Sequence, residues 1–312
     1  MTQCSLEAPY AEDFMRGLSP VTLGFFALFL LLSLSTCGLF MELWVYLSRN
    51  ISCTLIKDRC LIILGLFPVI TIAAQLGMTV PRAAALVDLI TSVYTGAALF
   101  AFFHLTVAYL GGEEEMLDRI QTVDSDLSVG PCCCCFLCLP RIRINRRIYT
   151  VFRIGISQTI FLLPIMNFII AVLWTDGKYF KEKGDTRSPV FYLGIVMMIS
   201  TLLSLFVFNI MIKTGLKIAE QRYRLLPKYS IVMIAVVINS LQPLLIEVLT
   251  AYNVIPSTEE FHWHGRASEF NHMLKVVEAF ILMLLSRRFY RKPYPPSETE
   301  ALSFVNTVRC TP

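Results

Sequence analysis

Five cysteines stand within seven positions: Cys132, Cys133, Cys134, Cys135 and Cys138, in "GPCCCCFLCLPRIRINRR". Thiols at this density can ligate zinc, pair as disulfides or carry thioester-linked acyl chains. A structural zinc site needs four ligands converging tetrahedrally, usually from two knuckles. Cys135 and Cys138 have CxxC spacing, but adjacent cysteines point in different directions. A second set of groups falls inside apolar stretches, where an ionisable side chain costs a few kcal/mol on membrane-insertion scales and so needs a reason. These are Glu42, Arg82, Asp88, Asn239, Gln242, Glu247, Lys275 and Glu278.

What positions these groups is a series of long apolar runs. The 312 residues are 55% hydrophobic and only 16% charged, where a soluble domain carries about 25% charged residues. Crossing a hydrocarbon core of about 30 Å takes roughly 20 apolar residues in a helix. Seven stretches qualify: 21–47, 60–79, 84–110, 151–174, 189–212, 229–252 and 271–289. They are too long and too continuously apolar for barrel strands. The expected fold is an all-α integral membrane protein of seven transmembrane helices. A tail, 1–20, precedes the helical domain, 21–289, and a second tail, 290–312, follows it. The first stretch is expected to stay in place, because acids and not a basic leader precede it. The net charge of +4 comes with no basic face interleaved with stacking aromatics, so nucleic acid is not an expected partner.

Orientation follows from Lys and Arg. Alternate loops carry seven on one side and eighteen on the other, and the basic side is cytoplasmic. The N-terminus is then outside and the C-terminus inside. The triplet "NIS" at Asn50 falls inside, away from glycosylation. The cysteine run falls in a cytoplasmic loop, 111–150, where thiols stay reduced. Neither a second CxxC nor a His pair accompanies it there. S-acylation of all five cysteines is the expectation, with Arg141, Arg143, Arg146 and Arg147 against anionic headgroups. An unmodified amphiphilic loop is the alternative, and no metal or cofactor is expected.

A Gly-Pro, a cysteine run, a Pro and basic residues between the third and fourth of seven spans resemble the organic solute transporter alpha subunit family. "MELWVYLSRN", "VPRAAALVDLITSVY", "STLLSLF", "LQPLLIEVL" and "VVEAFILMLLSRRFYRK" fit the same family, over roughly residues 40 to 292. The resemblance implies facilitated, sodium-independent transport of amphipathic organic anions such as bile acids and steroid conjugates. It also implies a single-span beta subunit as partner and a plasma-membrane location, basolateral in epithelia. An endomembrane location and a higher oligomer stay open.

Within the spans, Asn239 and Gln242 share a helical face at i, i+3, and Pro243 removes a helical hydrogen bond beside them. Broken helices recur at transporter binding sites. Asn239, Gln242, Glu247, Arg82, Asp88 and Glu278 are therefore the candidate substrate-binding residues, against membrane lipid and an anionic substrate. Lys275 and Glu278, three residues apart, are expected to neutralise each other; Arg82 and Asp88, six apart, to face other partners. His104 reads as a core histidine, and "HWH" at 262–264 as a solvated outer loop. The absence of a P-loop disfavours transport driven by this chain's own ATP hydrolysis, and too few histidines lie in the spans for a metallohydrolase. A seven-helix receptor and a trafficking factor with an acylated loop are the competing functions.

Overall fold

The computed structural model describes residues 11–12, 19–51, 53–121, 124–125, 142–176, 189–218, 225–251, 254 and 263–291. The cysteine run at 132–138, Arg141 and His262 lie outside them. Ten helices carry the described fold: α1 (Pro20–Asn50), α2 (Thr54–Leu64), α3 (Leu66–Thr79), α4 (Ala84–Tyr109), α5 (Glu113–Gln121), α6 (Arg146–Thr175), α7 (Pro189–Ile218), α8 (Leu225–Ser240), α9 (Gln242–Ala251) and α10 (Trp263–Tyr290). A one-turn 3-10 segment, Pro81–Ala83, joins α3 to α4. Among the described residues the strand content is one antiparallel two-residue pair, β1 (Asp124–Ser125) on β2 (Ile142–Arg143).

The breaks have local causes. Ser19 caps α1 by accepting the Thr22 N–H at 3.3 Å, with Pro20 at the first helical position. Gly65 separates α2 from α3, and Pro68 follows in the first turn of α3, where its missing N–H has no helical partner to lose. Gly111 and Gly112 turn the chain out of α4 at φ values of +94° and +96°, which side chains with a Cβ rarely adopt. Leu241 separates α8 from α9, with Pro243 second in α9. The expected sixth span is thus two short helices, so Asn239 and Gln242 lie on either side of a break and not on one continuous face.

Five helical stretches are long and apolar enough to cross a membrane: Pro20–Asn50, Thr54–Thr79, Leu86–Tyr109, Arg146–Leu173 and Tyr192–Lys217. α8 with α9 and α10 complete the set of rods but are not among the five. The expected boundaries hold within a few residues for the first and third spans, and the fifth ends six residues later than expected, at Ile218. The second begins six residues earlier than expected, at Thr54, and the seventh eight earlier, at Trp263.

α4 is the centre. It packs on α2, α3, α6 and α8, while α10 packs on α1, α3, α8 and α9. Phe102, Phe103, Leu105, Phe208 and Leu205 are buried where α4 meets its neighbours, and Thr159 of α6 hydrogen-bonds Ser204 of α7. α1 and α6 form the flanks. They expose Leu31, Leu34, Phe161 and Phe168, an inversion that suits hydrocarbon and not water. Acid–base pairs gather at one end of the bundle: Glu114 with Arg146 at 2.6 Å, Glu113 with Arg153 at 3.5 Å, and Glu42 with Arg287 at 2.6 Å and Arg291 at 3.2 Å. Glu42 is therefore partnered within the chain, and not a polar position waiting for another subunit.

Cys53, just before α2 at that same end, is disulfide-bonded to a partner outside the described residues. Cys37 and Cys60 are free.

Candidate functional site

At the opposite end of the bundle, α3, α4, α8, α9 and α10 bring polar groups into the interior. The α4 face carries Asp88, Ser92 and Thr95 at i, i+4 and i+7. The α10 face carries His272 and Lys275, three residues apart. Lys275 Nζ lies 4.0 Å from Asp88 Oδ1; the lysine side chain is 2% exposed and the aspartate 51%. Asp88 therefore stands at the mouth and Lys275 behind it. At 4.0 Å the contact is an ionic attraction and not a closed hydrogen bond. The expected attraction between Lys275 and Glu278 is present, and Asp88 joins it as a tertiary partner that reaches the ammonium from the facing helix.

The amides of the α8–α9 break turn toward the same region. Asn239 Nδ2 donates to Thr95 Oγ1 at 2.8 Å. Asn167 of α6 donates to Ser92 Oγ at 3.0 Å, tying α6 to the same α4 face. Gln242 approaches Glu278 across the α9–α10 contact. Among the described residues, Asn239 Oδ1, Gln242 Nε2, Glu278 Oε2 and Gln75 Oε1 are buried without a hydrogen-bond partner, as are Glu269 Oε2, Asn271 Oδ1 and His272 Nδ1 on the first turns of α10. Interior polar atoms are nearly always satisfied by protein or ordered water, so these groups offer hydrogen-bonding capacity in this end of the bundle. His272 enters against α3 only because residue 77 is glycine. A Cβ there would stand 2.6 Å from the imidazole Nε2, whose partner on the other side is Ser268 at 3.2 Å.

Of the expected binding residues, Asp88, Asn239, Gln242 and Glu278 fall in or beside this cluster. Arg82 lies on the 3-10 segment at the same end of the bundle, partly exposed. Glu247 is placed on α9, and its side chain is not among those described. His104 is a packed histidine, edge-on to Phe100 at 4.3 Å between centroids. Lys275 was expected only to neutralise Glu278, while His272, Glu269, Asn271 and Thr95 were not foreseen as site residues. For Glu269, Asn271 and His272 the signal is the periodicity of α10, whose buried positions 269, 272, 276, 279, 283, 286 and 290 and 271, 275, 279 and 282 recur at three and four; for Thr95 it is the spacing from Asp88 and Ser92 on one face of α4. Among the described residues no three His, Cys, Asp or Glu come together as metal ligands.

A helical bundle with lipid-suited flanks and an ionic, amide-lined interior at one end is the architecture of a multi-pass membrane protein that handles a polar solute. The organic solute transporter Ostalpha family matches residues 25–296, and the chain belongs to that family. It is 30% identical to an organic solute transporter subunit alpha of Leucoraja erinaceus over 93% of this chain and 82% of that protein. It is 26% identical to the one of Danio rerio, over 94% and 90%, and 27% identical to the one of Homo sapiens, over 93% and 85%. No solved structure matches the chain. The family is one of solute transporters, which is not an enzyme class.

Proposed function

We propose that this chain is the alpha subunit of a two-component facilitative carrier for amphipathic organic anions, bile-acid or steroid conjugates among them. It crosses the plasma membrane seven times with its N-terminus outside. The observation that carries the reading is the buried Lys275 behind the half-exposed Asp88. An incoming sulfate or carboxylate can replace Asp88 as the counter-ion of an ammonium already held in place. Gln242 Nε2 supplies a hydrogen-bond donor beside it, and the remaining N–H of Asn239 a second. Few polar groups suffice to orient a ligand whose body packs on apolar side chains. The subunit names of the relatives support a partner, and a single-span beta subunit fits that place.

Passive flux is the simplest mechanism for this machinery. Among the described residues the intramembrane acids do not converge into a cage of about six oxygens such as a hard cation takes. Labelled steroid-sulfate flux in vesicles, with and without the beta subunit, is the test. Entry and exit are expected to run down the gradient, to be equal at equilibrium, and to rise with the partner present. Accumulation above equilibrium that collapses without sodium or a proton gradient would replace the passive mechanism by a coupled one. Absence of flux with the partner present would favour the receptor or trafficking functions.

A further inference from the structure

From Thr91 to Tyr109 the α4 residues that reach the surface are Val93, Tyr94, Ala97, Phe100 and His104; every other one is buried. Val93, Ala97, Phe100 and His104 recur at four, three and four, so they form one stripe along the helix. Its neighbours show what stands on either side. The Tyr94 hydroxyl lies over Gly65, where α2 meets α3. On the other side α6 comes so near Gly96 that a Cβ there would stand 3.1 Å from the Ile160 Cα. The stripe is thus the floor of a groove, with α2 and α3 as one wall and α6 as the other. Its floor is apolar from Val93 to Phe100.

The groove ends in positive charge. Arg59 of α2 donates from Nη1 to the His104 carbonyl oxygen at 2.7 Å. Among the described residues no carboxylate pairs with Arg59, and its remaining N–H groups keep their donor capacity. Arg153 of α6 is within electrostatic reach of the same histidine. Its contact with Glu113 is 3.5 Å, long for a charge-assisted hydrogen bond. The His104 ring itself is packed edge-on against Phe100 and Phe103. Two guanidiniums therefore meet one carboxylate, and the excess charge sits on Arg59. A cation placed inside a membrane helix without an acid needs another anion, and the planar fork of arginine matches the oxygens of a phosphate. His104 and Val93 are eleven residues apart, roughly 16 Å along a helix, about half of a hydrocarbon core of about 30 Å.

We propose that this groove holds an anionic phospholipid from the leaflet at that end of the bundle. Its phosphate lies between Arg59 and Arg153, and one acyl chain runs along Phe100, Ala97 and Val93. Charge and length select this occupant together. A free phosphate would leave the apolar floor uncovered, and a zwitterionic lipid would bring an ammonium of its own toward two guanidiniums. The groove lies at the opposite end of the bundle from Asp88 and Lys275. The proposal rests on the chain crossing a membrane and not on what it carries.

Equilibrium binding of tritiated dioleoyl phosphatidate to the purified full chain in detergent, with dioleoyl phosphatidylcholine as the neutral comparison, decides the matter. The wild type should bind phosphatidate at least about tenfold tighter than phosphatidylcholine. Arg59→Gln with Arg153→Gln should bring that preference below about twofold, and Arg59→Lys should leave part of it, because an ammonium keeps the charge and loses the fork. Ala97→Phe fills the floor without touching charge, so it should weaken both lipids by a similar factor. Arg146→Gln, an exposed arginine at the same end paired with Glu114, should leave the preference unchanged. Should Arg59→Gln lower the thermal midpoint without lipid, Arg153→Gln and Ala97→Phe carry the test, since both keep the Arg59 bond to His104. Equal binding of the two lipids by the wild type would overturn the proposal. So would a preference that survives in the double variant, or one that Arg146→Gln removes as fully as the double variant does. Displacement of phosphatidate by glycerol 3-phosphate or by a steroid sulfate at equal concentration would replace the lipid by a free phosphate or by the carried solute. Flux enters none of these measurements, so a failure of the transport reading would be seen separately.

Discussion

Lys275 and Lys228 are both more than nine-tenths buried, and the bundle accommodates them by different chemistry. Lys275 is approached by a carboxylate at 4.0 Å that is itself half in contact with the surroundings. Lys228 of α8 is held by the Tyr109 hydroxyl at 3.2 Å and by the ring faces of Tyr109 and Tyr290. A carboxylate neutralises an ammonium and can be replaced by another anion of similar charge. An aromatic face leaves the charge in place and cannot be exchanged for a solute. The difference teaches where exchange is built in: the Asp88 end can trade its counter-ion, whereas the Tyr290 end must open before anything reaches the cation.

The largest expected effect breaks the first half of that contrast. Asp88→Ala leaves Lys275 buried without its ionic partner; loss of one member of a buried pair costs about 3–5 kcal/mol, and the half-exposure of Asp88 brings the expectation to about 2 kcal/mol. A lowered thermal midpoint of the solubilised protein checks it, and adding Lys275→Met should restore most of the loss. Lys275→Met alone leaves Asp88 half exposed and Glu278 without the ammonium beside it, so stability should fall less than in Asp88→Ala while steroid-sulfate flux falls more than about tenfold, or about 1.4 kcal/mol. Equal flux in Lys275→Met and wild type would remove the exchangeable counter-ion from the mechanism.

Smaller changes sharpen the comparison. Gln242→Leu with Asn239→Leu should lower entry and exit by the same factor, about tenfold, because a passive carrier preserves the equilibrium ratio; vesicle counterflow measures both directions. Glu278→Gln should cost less stability than Asp88→Ala, since Asp88 at 4.0 Å is the acid that reaches the Lys275 ammonium from the facing helix. The smallest stability effect belongs to the Lys228 end. Glu42→Gln removes a partly exposed pairing to Arg287 and Arg291, and surface pairs of this kind contribute little. Acyl-exchange mass tagging should shift the wild type and leave a Cys132–Cys138 all-serine variant unshifted. An unshifted wild type would end the acylation proposal.

Much of the scaffold was legible in the sequence because apolar length is a local property. The stretches 21–47, 84–110 and 189–212 need only residue types to be seen. Pro243 likewise announces a break beside Asn239, though not that a full helix end, Ser240, would separate it from Gln242. The site was less legible because its key contact is tertiary. Sequence spacing offers Lys275 the acid three residues on, and only the packing of the bundle brings Asp88 to it. Glu269 fell to a loop because charge near a span end reads as solvent, although α10 runs back to Trp263. Lys228 fell one residue outside the sixth span for the same reason. Patterns of hydropathy mark where a chain enters an apolar phase; they do not report which polar groups follow it in.

The position of α1 against α10 sets a timetable. α1 is the earliest of these helices to leave the ribosome and α10 the latest, and Glu42 is 245 residues ahead of the arginine it binds. At about 5–20 residues per second that interval is roughly 10–50 s. Through it, α1 has only α2 and α3 to lie against, and its acid has neither Arg287 nor Arg291. The nascent chain therefore spends most of its synthesis as an open arc, with one unanswered carboxylate near the headgroups, until the final helix closes the ring. Quality-control factors that survey unpaired charge in membrane helices would meet this protein during those seconds, and a truncation before residue 287 would leave them that signal permanently.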